Sequence, residues 1–582
     1  MARPRKEDGL KRTIVQRGEK FYAYESTSRY VDGKKITDSK YLGRVDPDTK
    51  ELMEKIPGKT KEDRKKIAKE REISILKGIS PKEYGGAYLL HSIQKRTTLG
   101  EDLMRSFGLS GKSILAAAMA LTMYPGAFMD IEHTLRRTSI RTMYGLTGSL
   151  DSGTLSRFTK QIGEASLNID QFFELRVGSS EGVIAWDTTT NGAYSTMDGL
   201  AEYVVNNKGN EKIRQTKTGI ATDMRGVPIM IRTYPGTLSD LATVDRLVED
   251  VERYGRNDTI FVFDRGFGSG SNINHLSEKN TRFVIPANVS AKAFKTLLTE
   301  FRTTNEKRNM VHDGHSYTVW KTSVGVKENL TRGSADGTSA YDFTLPGEEG
   351  HGKDGLLTAY VCFDSKKYSD ETQRHNILIN ELISKATEID SKDPLRAFKK
   401  LAGKAMKHFT VTPNGRNVIA EEKKNSASFT DNRAGLFIML SSNGLDWRTV
   451  MDAYDVRRFT EQVFDAEKSD DRRHRTSDRY TMEGRLFIRF VSLILRCEIT
   501  AFLRENSLDS KYSVSGILSS LNCIMSMNRG ETWGLNEITA NCRRIFTSFG
   551  IPVPNDVLRN VEPCDLLRLM SPKSSSAPNP DP

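Results

Sequence analysis

At 582 residues the chain exceeds what one hydrophobic core usually supports, so several domains, or one core carrying large additions, are expected. A hydrophobic share of 37% with 28% charged residues describes an ordinary soluble globular protein, and 87 basic against 75 acidic residues leave a net charge of +12 that favours a polyanionic partner. The five cysteines are odd in number, stand far apart in the sequence and form no CxxC pair, which argues against a disulfide framework or a zinc site and fits a reducing cytosol.

The basic start MARPRKEDGLKR leads into no apolar signal core, and Pro125, Arg489 and Arg496 interrupt the longest apolar runs, so neither export nor a membrane span is expected. Residues 1–75 read as a β-rich arm and a charged helix. From Thr13 to about Leu42 runs such as FYAYEST and KKITDSKYLG alternate around RG and DG turn signals, the pattern of a small antiparallel sheet. The run KTKEDRKKIAKEREI that follows has the composition of a solvated helical face, or less often of a DNA-contacting one. Residues 76–178 carry apolar side chains at helical spacing with Gly and Pro punctuation, which predicts a helical domain. Within it, LDSGTLSRFTKQIGE reads either as the second helix of a helix-turn-helix or as an ordinary capped helix.

From Gly182 the pattern changes to short apolar strands: VIAWD, then TGIATD and VPIMIRTY joined through Asp223-Met224-Arg225-Gly226, then TIFVFD and RFVIPA. With helical patterns such as LSDLATVDRLVEDVERY between the later ones, residues 179–290 read as the first part of a mixed α/β core whose central strands are buried on both faces. Residues 291–433 read as a largely β insertion, with YTVWKTSV, TAYVCFD and HFTVTP as strands and one helical stretch near Leu378 to Ala402. GLFIMLS opens the second part of the core over 434–500, a helical region is expected over 501–570, and the tail SPKSSSAPNPDP over 571–582 has the composition of a disordered segment.

Two of the buried-strand patterns deliver an aspartate at the end of an apolar run, Val183 to Asp187 and Ile260 to Asp264. A carboxylate where a core strand emerges loses hydration unless a cation or donors compensate, so two such ends suggest a metal site, although either aspartate alone could simply cap a turn. Further on, Tyr454, Arg457, Glu461 and Lys468 are separated by 3, 4 and 7 residues. At 3.6 residues per turn they fall within an arc of about 60° on one helix. Val450, Ala453, Val463 and Phe464 supply apolar contacts beside this stripe, which suits the lining of a cleft; an i,i+4 pair between Arg457 and Glu461 is the plainer reading.

These residues resemble the DDE transposases of bacterial insertion sequences, and within them the IS-four group, whose signature is Y-x2-R-x3-E-x6-K. Tyr454, Arg457, Glu461 and Lys468 match it at every position, AWDTTT resembles the first-acid strand, and FVFDRGFGS resembles the second-acid strand. The gaps of 77 residues from Asp187 to Asp264 and 197 from Asp264 to Glu461 also agree, because members of the group carry a β-rich insertion before the helix bearing the glutamate. The strong resemblance covers Glu181 to Ala291 and Gly435 to Arg496, about 30% of the chain; the N-terminal third resembles the group only loosely, in placing a small sheet and helical DNA-binding or assembly elements, here residues 76–178, ahead of the core, with no signature residue to carry over.

The resemblance implies a ribonuclease-H-like core and a site in which Asp187, Asp264 and Glu461 hold two Mg²⁺ ions, with Mn²⁺ able to substitute. Asp187 would bridge, while Asp264 and Glu461 would each complete one metal. It implies hydrolysis at transposon ends followed by strand transfer into target DNA, with Tyr454, Arg457, Lys468 and Arg265 contacting DNA. The expected partners are the terminal inverted repeats of the element and target DNA, bound by a homodimer or higher assembly in a prokaryotic, nucleoid-associated setting. No GxxxxGK[ST] phosphate loop is present, consistent with strand exchange that needs no ATP. A metal-dependent nuclease without strand transfer and a catalytically silent DNA-binding descendant are the rival readings. A glycosidase with paired carboxylates would need an aromatic sugar cleft, to which nothing in the sequence points. His312 and His315 have a spacing that can bind metal, but they stand in a turn-like HDGH context with no partner nearby; Trp320 could stack on an unpaired base but reads first as packed within a strand pair; Asp198 lies in a polar loop, and Asp240 is expected to cap the helix that follows it.

Overall fold

The computed structural model describes residues 11–18, 20–31, 34–46, 51–52, 81–193, 200–205, 212–287, 291–327, 342–344, 356–424, 426, 433–442, 444–470, 473–474, 478–529, 532–554 and 557–558. The run KTKEDRKKIAKEREI and the tail SPKSSSAPNPDP lie outside them. The chain divides into two compact units, Met1–Ser80 and Pro81–Pro582. In the first, β1 (Lys11–Arg17), β2 (Lys20–Val31) and β3 (Lys34–Val45) form an antiparallel sheet in that order, as the alternating pattern suggests.

The second unit opens with a two-residue strand, β4 (Lys82–Glu83), and helices α1 (Gly85–Arg96), α2 (Leu99–Phe107), α3 (Ser110–Met123), α4 (Ile131–Arg137), α5 (Ile140–Met143), α6 (Ser152–Glu164) and α7 (Ser166–Ser179). The segment LDSGTLSRFTKQIGE is the capped helix α6, whose N-cap Asp151 accepts a hydrogen bond from the Thr154 amide at 3.0 Å. Then come β5 (Val183–Ala193), β6 (Glu202–Val205), β7 (Lys212–Thr222), β8 (Pro228–Pro235), α8 (Asp240–Arg253), β9 (Ile260–Phe263), α9 (Gly270–Glu278) and β10 (Arg282–Pro286). The β7–β8 turn is held by Asp223, whose Oδ1 accepts from the amides of Arg225 (2.9 Å) and Val227 (2.8 Å), with Gly226 at φ +73°.

Beyond β10 lie α10 (Ala291–Thr303), β11 (Arg308–His312), β12 (His315–Lys327), β13 (Asp342–Thr344), β14 (Leu357–Asp364), α11 (Ser365–Thr387), α12 (Pro394–Ala402) and the hairpin β15 (Phe409–Asn414) with β16 (Asn417–Glu422). This stretch is mixed rather than largely β. The helical pattern near Leu378 to Ala402 is two helices split before Pro394, whose ring suits a helix start but not an interior. Nor do all of its strands stand apart, since β11, β12 and β14 add to the core sheet through β17 (Leu436–Ser442), in the order β11-β12-β14-β17-β10-β9-β5-β7-β6.

The chain then runs through α13 (Trp447–Asp470), β18 (Arg473–His474), α14 (Arg479–Glu505), α15 (Val514–Leu521), β19 (Met525–Arg529), β20 (Thr532–Leu535), α16 (Ala540–Ser548) and β21 (Val557–Leu558). The region expected to be helical after residue 500 therefore also contains strands, which form a small sheet ordered β21-β20-β19-β4. Cysteines distant in sequence also meet: the Cys523 and Cys542 sulfurs are 3.5 Å apart, and the four described cysteines are free thiols.

Alternation in the core strands makes two faces. Ile184, Trp186, Phe261, Phe263, Phe283 and Ile285 join the larger core, together with α3 and α14. Val183, Ala185, Ile260, Val262 and Val284 face the other way and pack with Val450, Ala453 and Val456 of α13. No single helix among the described residues is long and apolar enough to cross a membrane.

Candidate active site

Parallel pairing of β5 with β9 runs from Val183 opposite Ile260 to Trp186 opposite Phe263 and stops there. The next residue on each strand is an aspartate, Asp187 and Asp264, so the two carboxylates leave neighbouring strands at the same level, about 4.8 Å apart in backbone spacing. Parity decides their direction. Asp187 continues the series Val183, Ala185, and Asp264 continues Ile260, Val262, so both carboxylates go to the face covered by α13. Each is half-buried, in contrast to the fully buried apolar residues before it.

Asp187 is not at a strand end, as the sequence pattern suggests, but fifth of the eleven residues of β5. The strand continues because β7 still pairs with it from Asp187 opposite Ile220 to Gly192 opposite Gln215, and the β-branched Thr188, Thr189 and Thr190 suit an extended chain. What ends is β9, so Asp187 stands where one side of β5 loses its partner. Its Oδ1 accepts from the Thr188 amide at 2.7 Å. Asp264 does follow the end of its strand and also caps the next turn by accepting from the Arg265 amide.

Helix α13 completes the site. Arg457 Nη2 is 2.8 Å from Asp264 Oδ1, and Arg457 Nη1 donates to the Tyr454 hydroxyl at 3.0 Å. Three residues further on, the buried Thr460 hydroxyl meets that of Thr222 at the end of β7 at 2.8 Å, which pins the helix to the sheet immediately before Glu461. Glu461 and Lys468 belong to α13, while their side chains, with those of Val463 and Phe464, lie outside the described ones. The structure thus brings Asp187, Asp264, Tyr454 and Arg457 together on one face. Arg457, read from the sequence as a DNA contact or as a partner of Glu461, is engaged with Asp264.

Arg265 is exposed, and it brings a neighbour that the sequence reading missed. The guanidinium of Arg433 is held below its usual pKa by burial and then by the positive charge of Arg265. No motif marks Arg433; only the return of the chain into β17 places it near residues 168 positions earlier.

The weaker candidates resolve differently. His312 Nε2 is 2.6 Å from Asp455 Oδ2, and its Nδ1 is 3.4 Å from Asp452 Oδ1, so it ties the β11–β12 hairpin to the first half of α13. Both ring nitrogens of His312 are thus taken up by carboxylates of α13, in keeping with a structural role for this histidine. Trp320 is buried, 6% exposed, and is not available to stack on a base. The cap of α8 is Ser239 rather than Asp240, which sits in the first turn and pairs with Lys217 at 2.8 Å. Asp198 lies outside the described residues.

Residues 179–495 match the family model of the transposase DDE domain, a span of more than half the chain. No curated protein matches the chain. Among solved structures, the cryo-EM structure of a piggyBac transposase synaptic complex with hairpin DNA is similar at a TM-score of 0.31 and 12% identity, over 73% of this chain and 70% of that one. The chain belongs to the transposase DDE-domain family, and its function is DNA transposition.

Proposed function

We propose that this transposase is of the IS-four type, and that Asp187, Asp264 and Glu461 are the three carboxylates with which it cleaves transposon ends and joins them to target DNA. The observation that carries the proposal is the convergence of Asp187 and Asp264, from adjacent parallel strands, on the face covered by the helix that contains Tyr454, Arg457 and Glu461. The ribonuclease-H-like reading of the core is supported by the strand order β8-β7-β5-β9-β10, with β7 antiparallel to β5 and to β8, and β9 parallel to both β5 and β10.

The donor set fits hard divalent cations. It consists of carboxylate oxygens, and a positive charge already sits against Asp264 in the form of Arg457. Asp187, Asp264 and Glu461 would hold Mg²⁺ or Mn²⁺, which when bound would act as a Lewis acid towards a phosphodiester and its attacking oxygen. The protein's own part is positional. Two strands and one packed helix fix the carboxylates, so little reorganisation is required at the moment of reaction. Arg457, forked between Asp264 and Tyr454, would pass from carboxylate to backbone phosphate when DNA binds, and Arg265 and Lys468 would be further phosphate contacts. Terminal inverted repeats and target DNA would be the partners, held by a dimer or larger assembly.

The test is cleavage of DNA carrying the element's ends, with Mg²⁺ or with chelator, by the wild-type chain and by Glu461→Gln. Metal-dependent cutting by the wild type and binding without cutting by the variant is the expected result. Equal cutting by the variant would remove Glu461 from the site, and cutting without strand transfer would leave a nuclease.

A further inference from the structure

A helix laid on a sheet by apolar side chains alone can slide and turn, because such contacts have no direction. Val450, Ala453 and Val456 hold α13 in this way over β5 and β9. Further along, the contacts change character. Phe459 and Thr460, the two residues before Glu461, meet the end of β7 and the turn into β8. The Thr460 and Thr222 hydroxyls are bonded at 2.8 Å, and both residues are buried. Gly226 brings its backbone against Phe459, so that a Cβ there would lie 2.4 Å from the Phe459 Cβ. The Arg504 guanidinium of α14 stands over the Phe459 ring, 3.4 Å from its centre, and donates to the Arg225 carbonyl of the same turn.

The turn is itself tied down. Asp223 accepts from two of its amides, and Arg225 donates to Glu498 at 2.9 Å and to Glu505 at 2.7 Å, both on α14. Thr222 also lies opposite Ala185 in the β5–β7 register, two residues before Asp187. One threonine thus connects the strand of the first proposed acid to the helix of the third. Rotation matters at this point: a carboxylate about 6 Å from a helix axis moves about 2 Å when the helix turns by about 20°, whereas a metal site tolerates about 0.5 Å.

We propose that Thr222 is a positioning residue for the metal site: through Thr460 it fixes the rotation of α13 immediately before Glu461, and the contact of Gly226, Phe459 and Arg504 is the second point of the grip. The inference rests on the three-carboxylate reading above. A hydroxyl bond suits the task because it is directional and, between two buried groups, costly to leave unmade. A role in stability alone is what another buried pair of the same chemistry provides, the Thr122 and Ser492 hydroxyls at 2.9 Å between α3 and α14.

The test measures Mn²⁺ binding by the full chain without DNA, from the loss of the free-ion electron paramagnetic resonance signal. The rate of cleavage of duplex DNA carrying the element's ends is then followed against Mn²⁺ concentration. Thr222→Val keeps the shape and removes the hydroxyl, Thr222→Ser keeps the hydroxyl, and Thr122→Val is the matched control. Thr222→Val is expected to raise the Mn²⁺ dissociation constant and the Mn²⁺ concentration for half-maximal rate at least fivefold, at unchanged affinity for the DNA in chelator. Thr222→Ser and Thr122→Val are expected within twofold of wild type. Should Thr222→Val not fold, Arg504→Gln, which uncovers the Phe459 ring, takes its place with an expected rise of at least threefold. Wild-type Mn²⁺ binding by the variant measured would overturn the proposal, as would an equal rise in Thr122→Val, which would show loss of stability alone. Glu461→Gln separates the two levels. Wild-type Mn²⁺ binding by that variant would sink the three-carboxylate reading and the grip with it; weakened binding there, beside wild-type binding by Thr222→Val, would remove the grip only.

Discussion

Arg457 shows how one side chain can hold a site before the reaction. A guanidinium offers a planar fork, and here the fork is divided between Asp264 and the Tyr454 hydroxyl. Lysine supplies the charge without the fork, so Arg457→Lys should lower the cleavage rate at least tenfold at unchanged circular dichroism. A wild-type rate in that variant would show that the fork is not needed. A different residue sets a pH dependence. Burial pushes the Asp223 carboxyl up to about 6 from its ordinary 3.8. Because the folded pKa is raised, ionising this group costs stability: the loss begins as pH rises above the ordinary value and is complete above about 6. Asp223→Asn keeps an acceptor for the Arg225 and Val227 amides. It should therefore match wild type near pH 4 and exceed it by about 3 kcal/mol at pH 7, read from denaturant midpoints at both pH values. A gain that does not grow with pH would show that Asp223 is not the titrating group. None of this was legible in the sequence, where Asp223 is one residue of a polar turn.

At the scale of elements, the apolar strands ending in VIAWD and TIFVFD and the turn after Asp223 were readable because local pattern and tertiary placement agree there. Asp187 was misplaced because an apolar run shows where burial ends, not where pairing ends, and β7 carries β5 on to Gly192. The hairpin of β19 and β20 was missed because SMNRGETWGLN has little alternation, and its short sheet depends on β4, more than 400 residues earlier. The crossing of α6 with α14 was equally hidden. A Cβ on Gly484 would collide with the Thr159 carbonyl oxygen, and one on Gly163 with that of Tyr480, so these glycines are required by close approach of two backbones. Gly484→Ala should cost about 3 kcal/mol, measured as a lower denaturant midpoint at constant slope, whereas alanine at Gly178, which has open space around it, should not.

For the whole molecule, the site draws on β5, β9 and α13, and the residues proposed as its acids span Asp187 to Glu461. The two aspartates could be paired from their strand patterns alone, but adding Glu461 to them rests on the Y-x2-R-x3-E-x6-K pattern, because spacing along a chain does not reveal which elements become neighbours. The same dispersion has a thermodynamic consequence. A cation that binds the folded arrangement and not the unfolded chain stabilises the whole second unit by mass action. With a dissociation constant of about 1 mM, 10 mM Mn²⁺ would contribute about 1.4 kcal/mol, and a unit of this size would shift its thermal midpoint by about 1–2 °C. Asp187→Asn and Asp264→Asn should each abolish the shift, read for each chain against its own thermal midpoint in chelator-treated buffer. The shift needs no DNA and no cleavage, so it separates cation binding from catalysis. An equal shift in wild type and both variants would place the responsible cation away from these two strands and leave the convergence of Asp187 and Asp264 without its proposed role.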